Sequence, residues 1–153
     1  MIAVFIFYSV ATGVQAKLAF SDEFKHCNII TYDGEDWILL DFDRTGLLTR
    51  KIKCESGSSL VRNLHVIPEV SAIVSINVKD RIKLMWTPWW VRSCNEICRY
   101  ASGADIGWTF NPVHLYKKLL KYRHSKNYEI LSTWRRSWGS VQTIVTAQTP
   151  QTQ

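Results

Sequence analysis

The sequence predicts an α+β fold, in which a mostly antiparallel β-sheet or small barrel carries one amphipathic helix packed on it. Three observations lead to this prediction. Short apolar runs separated by turn residues fill the first part of the chain, a period of two runs through its middle, and one later segment has helical periodicity. The 153 residues suit a single domain, and 46% hydrophobic with 21% charged residues excludes wholesale disorder.

The first predicted strands are short apolar runs, at residues 28–32, 37–42 and 46–53. Asp33-Gly34, between the first two runs, is a strong signal for the tight turn of a hairpin. A further apolar run at residues 60–67 predicts another strand, which ends at Pro68 because proline cannot donate to a ladder.

The clearest β-pattern lies at residues 72–78, where alternate side chains are apolar. The alternation resumes at residues 82–86, after a polar turn at 79–81, and this predicts a β-hairpin with one buried face. Two late strands are predicted at residues 128–134 and 140–147.

The one predicted helix begins at Asn111-Pro112, since asparagine suits the N-cap and proline the first helical position. One half of the helix is apolar: Val113, Leu115, Tyr116, Leu119, Leu120 and Tyr122. The other half is polar and basic: His114, Lys117, Lys118, Lys121 and His124. This pattern predicts that the apolar half packs on the sheet.

Residues 1–16 have the pattern of a secretory signal peptide. The apolar run at residues 2–10 is shorter than the ~20 residues that span a bilayer, and small residues then occupy the positions that signal peptidase inspects. The alternative is a buried first β-strand. We therefore predict a secreted protein with no transmembrane span in its mature chain, organised as a leader at 1–16, one β-rich domain at 17–147 and a flexible tail at 148–153.

The four cysteines are Cys27, Cys54, Cys94 and Cys98. An even number behind an export signal predicts two disulfides, and of the three possible pairings we favour Cys27–Cys54 with Cys94–Cys98. On one helical turn the second pair would lie within disulfide reach. The alternative is a zinc site that adds His114 and His124, although this spacing does not match the usual zinc motifs. No metal ligand set is predicted.

Positive charge is concentrated in the second half of the chain. Residues 1–76 carry a net charge of −2 and residues 77–153 a net charge of +8, for +6 overall. A basic half predicts an anionic partner, such as nucleic acid, a glycan or an anionic surface, whereas the alternative is a solvated face without function. The candidate binding residues are Trp86, Trp89, Trp90, Lys117, Lys118, Lys121, Arg135 and Arg136.

Two short motifs resemble known families. Residues 39–45, Leu-Leu-Asp-Phe-Asp-Arg-Thr, resemble the nucleophile motif of haloacid-dehalogenase-type phosphatases, which implies attack by Asp41, proton transfer by Asp43 and a magnesium ion. That family also needs parallel βα units, which the antiparallel pattern does not supply. About a dozen residues around 41–48 resemble a strand pair of the secreted fungal β-barrel allergen and effector family, which implies a secreted, β-rich non-enzyme.

We find no complete catalytic motif and no cofactor site. The function that the sequence favours is a small secreted, disulfide-stabilised interaction protein, effector- or toxin-like, that binds an anionic partner or a host protein. One alternative is a secreted ribonuclease-like hydrolase with a general acid–base pair drawn from His26, His65, His114 and His124. Another is an intracellular nucleic-acid-binding module that retains residues 1–16 as a strand.

Overall fold

The computed structural model describes residues 1–10, 23–43, 46–80, 93–121, 125–136 and 141–144. In these residues seven strands and three helices form the α+β fold that the sequence predicts. The strands are β1 (Ile2–Tyr8), β2 (His26–Tyr32), β3 (Trp37–Asp43), β4 (Gly46–Ile52), β5 (Val70–Val78), β6 (Tyr128–Arg136) and β7 (Val141–Ile144). The helices are α1 (Gly57–His65), α2 (Cys94–Ser102) and α3 (Pro112–Lys121).

All seven strands belong to one antiparallel sheet in the order β4-β3-β2-β1-β5-β6-β7. β1 is the central strand, and its Phe5 pairs with Ile29 of β2 on one side and with Val74 of β5 on the other. The described sheet is open, with β4 and β7 at its edges, so it is not the small barrel that the sequence analysis kept as an option.

The first strand is buried on both faces. Residues 3–7 are at most 1% exposed, and a strand covered on both faces reads as a continuous apolar run. The same run therefore matches a leader and a central strand. The structure places it in the sheet, as the alternative interpretation of residues 1–16 expected, and cleavage after Ala16 stays a prediction.

The alternation of side chains along the strands produces one core on each face of the sheet. On one face, β1 and β5 pack against α2 and α3, with these residues at its centre: Phe5, Phe7, Val74, Ile76, Cys98, Leu115 and Leu119. On the other face, the sheet packs against α1, with these residues at its centre: Val4, Ile6, Ile30, Ile73, Leu60 and Leu64. The result is a sheet between two helical layers.

The strand predicted at residues 60–67 is wrong, because most of this segment is helix α1. Ser56 caps the helix by accepting a hydrogen bond from the backbone N–H of Ser59 at 3.2 Å. Leu60 and Leu64, four residues apart, are the buried positions, and this spacing is helical. The expectation of a single helix was also too low, since the described residues contain three.

The predicted turn after β2 is confirmed. Gly34 has φ +121°, a conformation that favours glycine, and the Asp33 carboxylate accepts a hydrogen bond from the Glu35 N–H at 3.1 Å. The strands predicted at 28–32, 37–42, 46–53, 72–78, 128–134 and 140–147 correspond to β2, β3, β4, β5, β6 and β7. The strand predicted at residues 82–86 and the tail at 148–153 lie outside the described residues.

Helix α3 forms where the sequence predicts it. Asn111 caps it, with its side-chain oxygen 2.8 Å from the backbone N–H of His114. Leu115, Tyr116 and Leu119 are buried against the sheet, and Lys117 is exposed on the opposite half. The apolar and basic halves of this helix therefore lie as expected.

Candidate active site

His26 and Asp41 form a hydrogen-bonded pair across two neighbouring strands. His26 begins β2 and Asp41 lies in the second half of β3, and the antiparallel pairing of these strands brings them together. Nε2 of His26 lies 2.7 Å from Oδ1 of Asp41, with side chains only 16% and 26% exposed. Burial lowers the pKa of His26, but the hydrogen bond with Asp41 and the interaction with Cys94 outweigh burial and raise this pKa to about 9.

Cys94 is the first residue of α2. Ser93 caps the helix and accepts a hydrogen bond from the Glu96 N–H at 3.4 Å, and the first intrahelical bond runs from the Ile97 N–H to the Ser93 carbonyl at 3.0 Å. The amides of Cys94 and Asn95 precede that first bond, at the positive end of the helix dipole. This position stabilises negative charge on a sulfur or on a neighbouring oxygen.

The Cys94 thiol lies close enough to His26 that each group shifts the pKa of the other. Asp41 occupies Nε2 of the imidazole, and Nδ1 is buried with no hydrogen-bond partner among the described residues. Nδ1 is therefore the ring nitrogen that remains available to the thiol. The pKa of the Cys94 thiol lies well above its ordinary value, because its interaction with Cys27 and its burial outweigh the lowering effect of His26.

Tyr8, in the central strand, packs beside the imidazole of His26. Its ring centroid lies 5.8 Å from that of His26, with 34° between the ring planes. The Tyr8 hydroxyl accepts a hydrogen bond from Nδ2 of Asn28 at 2.9 Å, which fixes the phenol ring beside the imidazole. Burial raises the pKa of Tyr8 to about 12, so this hydroxyl keeps its proton at neutral pH.

Two further thiols border Cys94. Cys98 follows it by one helical turn, and the Cys98 sulfur lies 3.7 Å from the sulfur of Cys27 on β2. Both side chains are buried, and burial raises the pKa of each thiol above its ordinary value. Cys94 also acts on Cys27 and lowers the pKa of that thiol in part, so both thiols of the helix interact with Cys27.

Neither predicted disulfide is present, because all four cysteines are free thiols. Cys27 packs in the core beneath α2, whereas Cys54 packs against the core on the α1 face. The sheet therefore separates the partners of the favoured Cys27–Cys54 pair. Cys94 and Cys98 share a helical turn as expected, yet the closest sulfur of Cys98 is that of Cys27. Disulfide formation in the mature protein stays a prediction.

The zinc alternative gains no support from the described ranges. Among these residues, no group of three or more His, Cys, Asp or Glu side chains is arranged to hold a metal ion. His114 instead stacks on Phe110, with 5.4 Å between ring centroids, and His124 lies outside the described part of the chain.

Asp41 of the phosphatase-like motif and the histidines considered as a ribonuclease-like pair contact side chains that neither kind of active site would require. Asp41 lies on an antiparallel strand and bonds to His26, which differs from the parallel βα arrangement that the phosphatase resemblance requires. His65 stacks on Trp134 at 4.5 Å and His114 on Phe110, so these three described histidines do not meet as a ribonuclease-type pair.

The candidate anion-binding residues do not form one face. Lys117 and Lys121 are exposed on α3, and Lys118 donates to the carbonyl of Trp108. Arg135 and Arg136 are successive residues of β6 and therefore point to opposite faces. Arg135 pairs with Glu23 at 2.7 Å, and Arg136 donates to the carbonyls of the α1–β5 connection. Trp86, Trp89 and Trp90 lie outside the described residues.

The triad of Cys94, His26 and Asp41 was not predicted from the sequence. Only part of it carries a local signal: Ser93 directly before Cys94 is a cap residue that places the cysteine at a helix start. The strand pairing that joins Asp41 to His26, and the packing of α2 that adds Cys94, are contacts between distant segments. No spacing rule in the sequence connects them.

Comparison with known proteins finds no matching family model, no matching curated protein and no matching solved structure. Among the helices that the structure describes, none combines the length and apolar character needed to cross a membrane.

Proposed function

We propose that the protein is a cysteine-dependent acyl-transfer enzyme that hydrolyses an amide or ester. One observation carries the proposal: Asp41 holds one nitrogen of His26, the other nitrogen is unpartnered, and the Cys94 thiol at the start of a helix lies close enough to shift the pKa of the imidazole. A nucleophile beside a base, with a third group orienting that base, is the arrangement of nucleophilic acyl transfer.

In the first step, Nδ1 of His26 accepts the proton of the Cys94 thiol, and the thiolate attacks the carbonyl carbon of the substrate. The Asp41 carboxylate accepts the Nε2 hydrogen bond, which orients the ring and stabilises the imidazolium that forms. The carbonyl oxygen becomes an oxyanion, and the first-turn amides of Cys94 and Asn95 are the donors positioned to stabilise it.

In the second step, the tetrahedral intermediate collapses. The bond to the amine or alcohol breaks, the leaving group takes the proton from His26, and a thioester with Cys94 remains. Water then attacks this thioester with His26 again as the base, which releases the acid and restores the thiol. Atoms and protons balance without a further reactant.

The pKa of His26 sets the working pH. Below its value of about 9 the imidazole is protonated and cannot accept the thiol proton, so the thiol and imidazole together must first lose one proton. We therefore expect activity to rise with pH through about 9 and to be low near pH 6.

A simple ester tests the proposal. With p-nitrophenyl acetate, we expect a burst of p-nitrophenol and a gain of one acetyl group, mapped by peptide mass to Cys94. His26→Ala should lower the acylation rate by about 10²-fold or more. Cys54→Ser, at a thiol distant from His26, is the matched control and should leave the burst unchanged. Acetylation at Cys54 in preference to Cys94, or a burst unaffected by His26→Ala, would contradict the proposal.

The secreted, non-catalytic interaction protein stays the second candidate. The polar half of α3 favours it, since the exposed Lys117 on that half presents positive charge to solvent. A wild-type protein without any Cys94 acylation that still binds an anionic partner would favour this candidate. Export applies equally to both candidates and remains a prediction.

A further inference from the structure

The loop between α2 and α3 is fastened to the residues that follow Cys94. Nδ2 of Asn95 donates to the carbonyl of Thr109 at 2.7 Å and contacts its hydroxyl at 3.0 Å. The Thr109 hydroxyl donates to Oε1 of Glu96 at 3.1 Å, and Arg99 holds the other carboxylate oxygen at 2.8 Å. These groups are all at least 95% buried, so the loop is fixed against the first turn of α2.

This fixed loop exposes two aromatic side chains. Thr109 is 3% exposed, whereas its neighbours Trp108 and Phe110 are 47% and 81% exposed. Alternation along the loop places Thr109 inward and both rings outward. The polar network on Asn95 and Glu96 thus positions an aromatic surface beside the start of the helix that carries Cys94.

Basic side chains lie beside the loop that carries the two rings. The Arg99 guanidinium lies 5.5 Å from the ring centroid of Trp108, and Lys118 donates to the Trp108 carbonyl. Lys117 is exposed on the same helix as His114, which stacks on Phe110 with 9° between the ring planes. Arg99 and Glu96 neutralise each other, so the positive charge beside the loop comes from Lys117 and Lys118.

From this juxtaposition we infer that Trp108 and Phe110 select a substrate in which an apolar ring and a negative charge accompany the scissile amide or ester. The ring stacks on Trp108 or Phe110, and the charge is attracted by the lysines of α3. The inference rests on the proposed function and adds a substrate class to it.

The construction of the loop supports a role in binding. A buried Glu–Arg pair is costly to desolvate and contributes little net stability, yet here it holds a loop that leaves two large aromatic rings in water. Rigid, exposed aromatic rings lose little conformational entropy on binding, and that is an advantage at a recognition surface. The loop is also attached to the candidate active site, since Asn95 anchors the loop and directly follows Cys94.

Four chloroacetamides that alkylate thiols form a matched set of probes: chloroacetamide, N-benzylchloroacetamide, N-chloroacetylglycine and para-carboxybenzyl chloroacetamide. They differ only in whether a ring, a charge or both are present. The measured quantity is the second-order rate of labelling at Cys94 in the full chain, resolved by peptide mass. We expect the ring to raise the rate about 3- to 10-fold, and the charge to raise it in a way that weakens as salt increases.

Single substitutions test which residue causes the rate increase from the ring (the ring advantage) and which causes the rate increase from the charge (the charge advantage). Phe110→Ala and Trp108→Ala should reduce the ring advantage, and Lys117→Glu should reverse the charge advantage, each measured as a ratio to plain chloroacetamide with the same variant. Val66→Ala, at an equally exposed apolar residue beside α1, is the control and should change neither advantage.

The outcomes separate the two claims. If labelling of Cys94 depends on His26 but all four probes react alike, the substrate inference is overturned and the proposed function stands. If the advantages persist in Phe110→Ala and Trp108→Ala, the inference is likewise overturned. If His26→Ala leaves labelling by plain chloroacetamide unchanged, the proposed function fails and the inference falls with it.

Discussion

Helices α1 and α2 offer a comparison within one chain. Each has nine residues and begins after a serine cap, and each has a cysteine at its first residue or shortly before its cap. Cys54 precedes the Ser56 cap of α1 and donates its thiol hydrogen to the Ser56 carbonyl at 3.2 Å. Cys94 directly follows the Ser93 cap of α2 and faces His26.

The difference between these regions is the presence of a base. Cys54 borders an open polar cleft, and the cleft is lined by Lys53, Cys54, Glu55, Ser59 and Asn63. A cleft and a helix start are therefore both present at α1, but no imidazole lines that cleft. At α2 the sheet supplies His26 and Asp41. The strands, and not the helix start, therefore make the Cys94 thiol a candidate nucleophile.

The largest expected effect follows from removing the central strand. A chain that begins at Lys17 lacks Val4, Phe5, Ile6 and Phe7, which are at most 1% exposed. Each such side chain contributes roughly 1.5–3 kcal/mol, so the sum is comparable with a typical net stability of about 5–15 kcal/mol. We expect no cooperative thermal transition and no difference in reactivity between Cys94 and Cys54. A stable, reactive chain starting at Lys17 would contradict the structure and support cleavage of the leader.

The second-largest effect is expected from replacing the sulfur of Cys94 by oxygen, with the same replacement at Cys54 for comparison. Cys94→Ser should lower ester turnover by about 10⁴-fold or more, since the nucleophile is lost. Cys54→Ser should leave turnover within about twofold, because no base accompanies that thiol. Equal losses in the two variants, measured by steady-state kinetics, would remove the distinction between the helices.

The pKa of His26 also predicts how stability depends on pH. Its folded-state pKa, about 9, exceeds the ordinary value of 6.5. Its contribution is therefore fully present below about pH 6.5 and is lost as pH rises through about 9. The free energy of unfolding in urea should fall by about 3 kcal/mol more for wild type than for His26→Gln between about pH 6 and about pH 10. Parallel pH dependences for the two proteins would show that His26 is not held by Asp41.

The smallest expected effect concerns the orienting carboxylate. Asp41→Asn keeps a hydrogen-bond acceptor for Nε2 but removes the negative charge, so the pKa of His26 should move down from about 9. We expect the midpoint of the pH–rate profile to fall with it, and the rate at its plateau to drop about 10-fold. A midpoint that does not move would place the source of the raised pKa elsewhere.

Sequence periodicity predicts most of the sheet and helix α3, because these elements have one buried face whose pattern is local. It fails at residues 60–67, where apolar content alone suggests a strand, although Ser56 and the four-residue spacing of Leu60 and Leu64 indicate a helix. At residues 2–8 sequence periodicity cannot distinguish a leader from a strand, since a leader and a strand covered on both faces are equally apolar.

The candidate site depends on contacts that no local pattern encodes. His26 and Asp41 are 15 residues apart and meet through strand register, and Cys98 and Cys27 are 71 residues apart and meet through the packing of α2. An even cysteine count and a leader-like segment favoured disulfides, whereas the fold places three thiols together in a core. Strand register and helix packing had to be known before the triad could be recognised.

The most direct test compares Cys94 and Cys54 within the same molecule. Wild type and His26→Ala are treated with iodoacetamide over a range of pH, and alkylation of each cysteine is followed by peptide mass. Above about pH 9, where His26 can accept the thiol proton, we expect Cys94 of wild type to react at least ~10-fold faster than Cys54. In His26→Ala the order should reverse, because Cys94 is then only a buried thiol. Slower reaction of Cys94 than of Cys54 at every pH in wild type, or a ratio that His26→Ala leaves unchanged, would contradict the account.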